Sequence, residues 1–302
     1  MKYTNRERAE KVSKIFHSQG GLTDSRGVDV GALGDMVVHG EDNRKDYFAT
    51  TDARRRLADS TVILTNKDAL TKQPDGSYKL DVQPFREVRT GMKLCGGQRF
   101  ANQHTGGWGS GFVAGSDVIV TAGHCAESLE IVRNTAFVFG FRADNANHRG
   151  TTSFPAKCVY FGKELIDQET SSTSDFAIVR VNRPIDAPNA APLPIRETGS
   201  VGVGQNVGVI GYPSGFPVKI AFGDETVVVS RSGALLHTNL DSFVGNSGSP
   251  VFNTDGVVEG ILVRGGADFD FDHGNSCVRV KEARRQGSEL VNKSSVFVNR
   301  IP

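Results

Sequence analysis

The sequence has no apolar run long enough to cross a bilayer as a helix. Its opening, MKYTNRERAEKVSKIF, is charged and lacks the apolar centre of a secretory signal, so no signal peptide is visible in the chain. Neither CxxC nor HxxxH spacing occurs, although there are four cysteines and seven histidines. A zinc site is therefore disfavoured, and no metal or cofactor is expected. Charge of one sign is missing too: 35 Lys and Arg against 34 Asp and Glu leave a formal charge of +1. Such a balance gives no footprint for a polyanion, so no nucleic-acid partner is expected, nor any membrane insertion. No fixed-period repeat is present, which argues against a propeller or solenoid.

What the chain does have is length, glycine and β-branched residues. Its 302 residues are ample for a buried core, and 35 of them are glycine. Runs such as STVILT, DVIVTAG, NTAFVFGF and DFAIVRV predict short strands joined by tight turns. VNRPIDAPNAAPLPI carries four prolines in fifteen residues, too many for a helix or central strand. A second strand series follows at QNVGVIGY, ETVVVSRSG, GALLHTN, SPVFN, VVEGILVR and SVFVN. Two such sets divided by an extended connection predict an all-β protein of two packed antiparallel barrels. The expected organisation is a leader or pro-segment over 1–36, with a short helix at Arg6–Phe16, and one domain over 37–302. Within it the first barrel covers about 57–180, the connection 181–195 and the second barrel about 196–302. VVHGEDNRKDYFATTDARRR is expected to run over a surface, with Arg54–Arg56 as a solvated turn. Trp108 is expected to pack near the first barrel.

Three short stretches carry the chemistry. TAGHC sets His124 directly after an apolar strand, SDFAIVRV sets Asp175 at the mouth of another, and DSFVGNSGSP sets Ser247 on a tight Gly-rich loop. A serine hydroxyl is a weak nucleophile until a base takes its proton. Imidazole has the right basicity, and a carboxylate fixes its tautomer and stabilises the imidazolium. Each stretch alone has a bland reading as strand end, cap or turn. Together, in the order His124, Asp175, Ser247, they are far more specific. The glycines around Ser247 also expose backbone N–H groups, and those of Gly245 and Ser247 are the candidate oxyanion hole.

TAGHC, DFAIVRV and GNSGSPV resemble the His, Asp and Ser motifs of chymotrypsin-fold serine endopeptidases, and GNSGSPVFN resembles the bacterial V8 and glutamyl endopeptidase branch. VVHGEDNRKDYFATT is similar to the mature amino-terminal region of that branch. The resemblance covers roughly residue 37 to the end. It implies two six-stranded barrels with the active site between them, protein or peptide substrates, a monomer, and export to the periplasm or beyond. In the animal enzymes a cysteine near the position of Gly109 pairs with the one after the catalytic histidine. Here Cys125 lacks that partner, so the resemblance suggests Cys95–Cys125 with Cys158–Cys277 as the remainder. Asn246 stands where animal digestive enzymes carry the Asp that captures a freed amino terminus.

The resemblance also bears on specificity. Asp241 and Ser242 stand at the trypsin-like spacing before Ser247, with Val263 and Gly265 on the strand that follows, and this implies cleavage after Arg or Lys. The glutamyl branch instead reads its substrate with a histidine on that strand, where GILVRGG here has Leu262. A glutamyl-specific enzyme and an inactive binding module on the same fold are the alternatives, as is Asp241 acting only as a turn cap. An α/β-hydrolase needs the order Ser, acid, His, and the only histidine after Ser247 is His273. Asp268, Asp270 and Asp272 alternate around it, but no full calcium-ligand pattern follows, so a solvated acidic loop is expected.

Overall fold

The structure, a computed structural model, describes residues 38–85, 93–265, 268–283 and 289–302. The expected leader and its Arg6–Phe16 helix lie outside the described residues. The strands that matter here are β1 (Arg44–Asp46), β2 (Thr61–Asn66), β3 (Gly109–Val113), β4 (Val118–Thr121), β5 (Thr135–Val138), β6 (Val159–Thr170), β7 (Asp175–Val181), β8 (Gly208–Gly211), β9 (Lys219–Ala221), β10 (Val228–Ser232), β11 (Leu235–Thr238), β12 (Pro250–Phe252), β13 (Val258–Arg264) and β14 (Glu289–Lys293).

Strands β5-β6-β7-β4-β3-β2 close into a six-stranded barrel. Closure leaves no edge, so strands can be apolar throughout rather than alternating. Accordingly every residue of β2, β3, β4 and β5 is buried, and Trp108 lies in the same core. The second half departs from the expected six-stranded closure. It is one eight-stranded sheet in the order β10-β11-β14-β13-β12-β8-β9-β1, whose edge strand β1 comes from the amino-terminal side of the first barrel. The two halves share a core: Ile210, Tyr212, Val258 and Ile261 pack in the same cluster as the barrel residues. Tyr212 spans the junction, donating its hydroxyl to Thr61 O at 3.0 Å while its N–H donates to Ser110 Oγ at 3.0 Å.

Four expectations are corrected. Arg54–Arg56 lie in a helix, Asp52–Asp59, rather than a turn. Thr51 caps it, and Arg55 ties it back through bonds to Phe48 O and Thr50 O. The charged run before it is not wholly superficial, since Arg44 and Asp46 are buried. SVFVN forms two 3-10 turns, Ser294–Val296 and Val298–Arg300, because Phe297 acts as a single anchor against Phe176 instead of alternating along a strand. The disulfide joins Cys95 to Cys277, 182 residues apart, and leaves Cys125 and Cys158 as thiols. Among the described residues no helix is long and apolar enough to cross a membrane.

Candidate active site

His124 and Asp175 are delivered by adjacent strands of the closed barrel. β4 ends at Thr121 and the chain turns into a 3-10 segment, Gly123–Cys125, that carries His124. Asp175 opens β7, which pairs with β4. Gly123 is required at the turn, since a Cβ there would come within 2.0 Å of Glu169 O and 2.9 Å of Asp175 Oδ1. The Asp175 carboxylate grips its neighbour twice, with Oδ1 accepting from His124 N at 2.9 Å and Oδ2 lying 2.7 Å from His124 Nδ1. This contact assigns the proton to Nδ1 and turns Nε2 to the task of a base. Burial of the ring opposes the imidazolium, but the Asp175 charge more than offsets it, and the His124 pKa stands well above its ordinary value.

Ser247 comes from the other half. Its loop is pressed onto the first barrel: Ser110 N donates to Ser247 O at 2.9 Å, and Ser110 Oγ donates to Gly245 O at 2.7 Å. The thiol of Cys125, next in chain to the histidine, lies 4.0 Å from Ser247 O. Gly245 and Gly248 have φ of 105° and 83°, a region that suits glycine. A Cβ at Gly248 would meet Thr121 Oγ1 at 2.3 Å, and one at Gly245 would meet Tyr212 O at 2.7 Å. The loop is thus shaped by its close approach to the barrel that carries the base. Ser247 Oγ is buried and donates to no protein acceptor, so its proton is uncommitted. Among the described residues the N–H groups of Gly245 and Ser247 likewise have no protein acceptor. The structure therefore brings the three sequence-identified residues to one junction, together with two backbone donors, an arrangement able to carry out acyl transfer.

The residues singled out for specificity fall differently. Asp241 is 1% exposed, and its two oxygens accept N–H bonds from His39 at 2.8 Å and Asn43 at 2.9 Å. Burial pushes its pKa up to about 6 against those two bonds. Ser242 and Val263 are buried and Gly265 is partly exposed. Phe243, two residues after Asp241, is clamped between the Arg44 guanidinium at 4.0 Å and the Phe269 ring at 5.4 Å. Cys125 Sγ would lie 3.4 Å from a Cβ at Gly109, where the missing disulfide partner would stand. In the acidic stretch, expected to be solvated throughout, Asp268 is instead buried and accepts Val244 N from the loop leading to Ser247, while Asp272 accepts the amides of Gly274 and Asn275 in its own turn.

Two residues near the triad carry no motif. Arg264 ends β13 just past a bulge, faces the Asp175 charge and donates Nη2 to Ser171 O at 2.8 Å. Asn292 of β14 touches Asp175 directly, accepting its N–H at 2.5 Å. An isolated Arg at a strand end or Asn within a strand gives no sequence signal of either contact.

A Ser, a His and an Asp held between a closed β-barrel and a packed antiparallel sheet define the class of trypsin-like peptidase domains. The sequence pattern of that family, "Trypsin-like peptidase domain", matches residues 109–261, half of the chain, and the chain belongs to it. It is 29% identical over 188 residues to a glutamyl endopeptidase of Staphylococcus epidermidis, covering 58% of this chain and 61% of that one. It is also 29% identical over 215 residues to a glutamyl endopeptidase of Staphylococcus aureus (strain MRSA252), covering 67% of this chain and 52% of the relative. The matched region thus spans less than two thirds of these relatives' length. A solved Glu endopeptidase structure shares the fold at 16% identity, with a TM-score of 0.51 over 87% of this chain and 97% of that one.

Proposed function

We propose that the chain is a serine endopeptidase that forms an acyl-enzyme on Ser247 and cleaves peptides next to acidic side chains. The observation that carries the reading is the His124–Asp175 contact of 2.7 Å set against a nucleophile loop whose serine hydroxyl is uncommitted. In the reaction Ser247 Oγ attacks the scissile carbonyl while His124 Nε2 takes its proton. His124 then returns the proton to the leaving amine, and water repeats the sequence to free the acid. The N–H groups of Gly245 and Ser247 receive the oxyanion, where a lost donor typically costs about 2.7–4 kcal/mol. An inactive binding module would have no need to keep all of these parts together.

The acidic preference rests on two features and on the names of the relatives. The Arg or Lys reading asks Asp241 to present a carboxylate to an incoming cation, yet both of its oxygens already hold main-chain N–H groups. Arg264, by contrast, is a partly buried cation at the end of β13, the strand that pairs with the one leaving the nucleophile loop, and its Nη2 donates to a carbonyl. A guanidinium with donors to spare suits a carboxylate bidentately. Cleavage of a peptide library resolves the point. Hydrolysis after Glu or Asp supports the reading, and hydrolysis after Arg or Lys restores Asp241 as the determinant. For the chemistry itself, Ser247→Ala should lower kcat by on the order of a millionfold. Near-normal turnover, or a fluorophosphonate label found elsewhere than on Ser247, would sink the mechanism.

A further inference from the structure

We infer that Asn292 is a positioning residue for the triad acid, fixing Asp175 from the opposite half of the molecule. The inference rests on the endopeptidase reading above. Asp175 and His124 belong to the first barrel and Ser247 to the second sheet, so their alignment depends on how the two halves are fastened. The Ser110 contacts fasten the nucleophile loop to the barrel. Asn292 fastens the acid to the sheet. It lies in β14, is fully buried, and uses both ends of its amide on one turn. Its Oδ1 accepts Asp175 N at 2.5 Å, and its Nδ2 donates to Thr173 O at 3.0 Å.

This is a bidentate reading of a backbone turn, available to an amide because it has an acceptor and a donor side by side. An aliphatic residue would strand the buried N–H of Asp175 and release the carbonyl of Thr173, a residue that is itself exposed. Nor can the position drift, because a Cβ at Gly260 of the neighbouring strand would come within 2.0 Å of Asn292 O. The same turn is held at its other end by Arg264 through Ser171 O. Between these two anchors the Asp175 carboxylate is aimed at His124 N and Nδ1. The charged and titratable groups facing the pair are Arg264 from β13 and Cys125 beside the histidine.

The test uses the full chain with Asn292→Ala and Asn292→Asp, followed by kcat, KM, the pH profile of kcat/KM and stoichiometric labelling of Ser247 by a fluorophosphonate. With the acceptor lost, Asn292→Ala should label to full stoichiometry but slowly. Its kcat should fall about 10- to 100-fold, the scale expected of a misplaced catalytic group, with KM little changed. The rising limb of its profile should move to lower pH, because a loosened Asp175 supports the imidazolium less. Asn292→Asp retains an acceptor for the amide and adds negative charge beside the pair, so its limb should move to higher pH. Should the alanine variant fail to fold, the aspartate variant carries the test alone through the direction of that shift. A folded variant with lowered melting temperature but wild-type kcat and pH profile would overturn the inference and leave Asn292 a structural residue. A wild-type chain that neither hydrolyses peptides nor labels at Ser247 would instead overturn the endopeptidase reading.

Discussion

The two halves of the molecule use buried charge in opposite ways. In the described part of the first barrel, His124 and Asp175 are the buried charged side chains, and both belong to the site. The rest of that closed barrel buries apolar and uncharged polar side chains. In the second half, and in the amino-terminal segment that completes its sheet, buried charges are structural. Glu259 holds Arg196 at 2.6 Å as well as Val201 N and Asn253, Lys219 holds Asp46 at 2.6 Å, and His39 lies 2.7 Å from Glu289. The difference follows from topology. A closed barrel satisfies its backbone internally and can spend its few buried charges on chemistry. An open sheet has edges and a returning segment to secure, and directional polar bonds specify where those lie.

Among the changes that test this contrast, the largest effect should come from removing the charge of the first barrel's site anion. Asp175→Asn keeps the shape but removes the charge and the acceptor that fixes the tautomer, so kcat should fall by about 10⁴-fold. The pH profile gives the sign. His124 must be neutral to act as base, and its pKa is raised by Asp175 above the ordinary value, so wild-type activity rises with pH through that raised value. Without the carboxylate, burial, the largest influence on the ring, favours its neutral form against what support Cys125 still gives, so the rising limb should shift to lower pH. The same raised pKa stabilises the folded protein most below the unfolded value, and that contribution is lost as pH rises through the folded one. A limb that stays in place would show that Asp175 is not the charge felt by His124.

Much of this was legible from sequence, for a local reason. The Ser247 loop announces itself because Gly245 and Gly248 take positive φ, and His124, the proposed base, because it directly follows an apolar strand. Strand runs such as STVILT were legible because burial on a barrel wall demands apolar β-branched residues. What was not legible depends on partners distant in sequence. The Cys95–Cys277 bridge joins residues 182 apart, and counting cysteines cannot choose among pairings. Arg44 and Lys219 look like surface cations until their partners, Asp42 and Asp46, are seen beside them. SVFVN has the composition of a strand, and only the pocket that receives Phe297 makes it a pair of turns. Asn292 is invisible because both of its amide bonds go to backbone groups more than a hundred residues away, at Asp175 and Thr173.

A second way to break the comparison is to remove one partner of a structural pair. Lys219→Ala leaves the Asp46 carboxylate buried beside Gln103 without its cation, which should cost about 3–5 kcal/mol of stability in denaturant unfolding. Replacing both members together, as Lys219→Met with Asp46→Leu, should recover much of that loss, since the penalty lies in the unpaired charge. If the double variant is no better than the single, the pair is more than a matched charge and the contrast between the halves is sharper still.

The smallest effect belongs to the apolar barrel wall. Ile63 is fully buried in β2, and its side chain would lie 2.5 Å from a Cβ placed at Gly107. Ile63→Val deletes one methyl group from this packing, which should cost about 0.5–1.5 kcal/mol, read as a lower denaturant midpoint with an unchanged slope. No polar group is stranded and no charge is exposed, so the loss should be the same at pH 5 and pH 9. Catalysis should be untouched, because the methyl lies in the wall and not at the His124 turn. A pH-dependent loss would mean that the barrel wall is coupled to the titrating pair at its end. The clean separation between an apolar scaffold and a charged site would then fail in the half of the molecule where it is most evident.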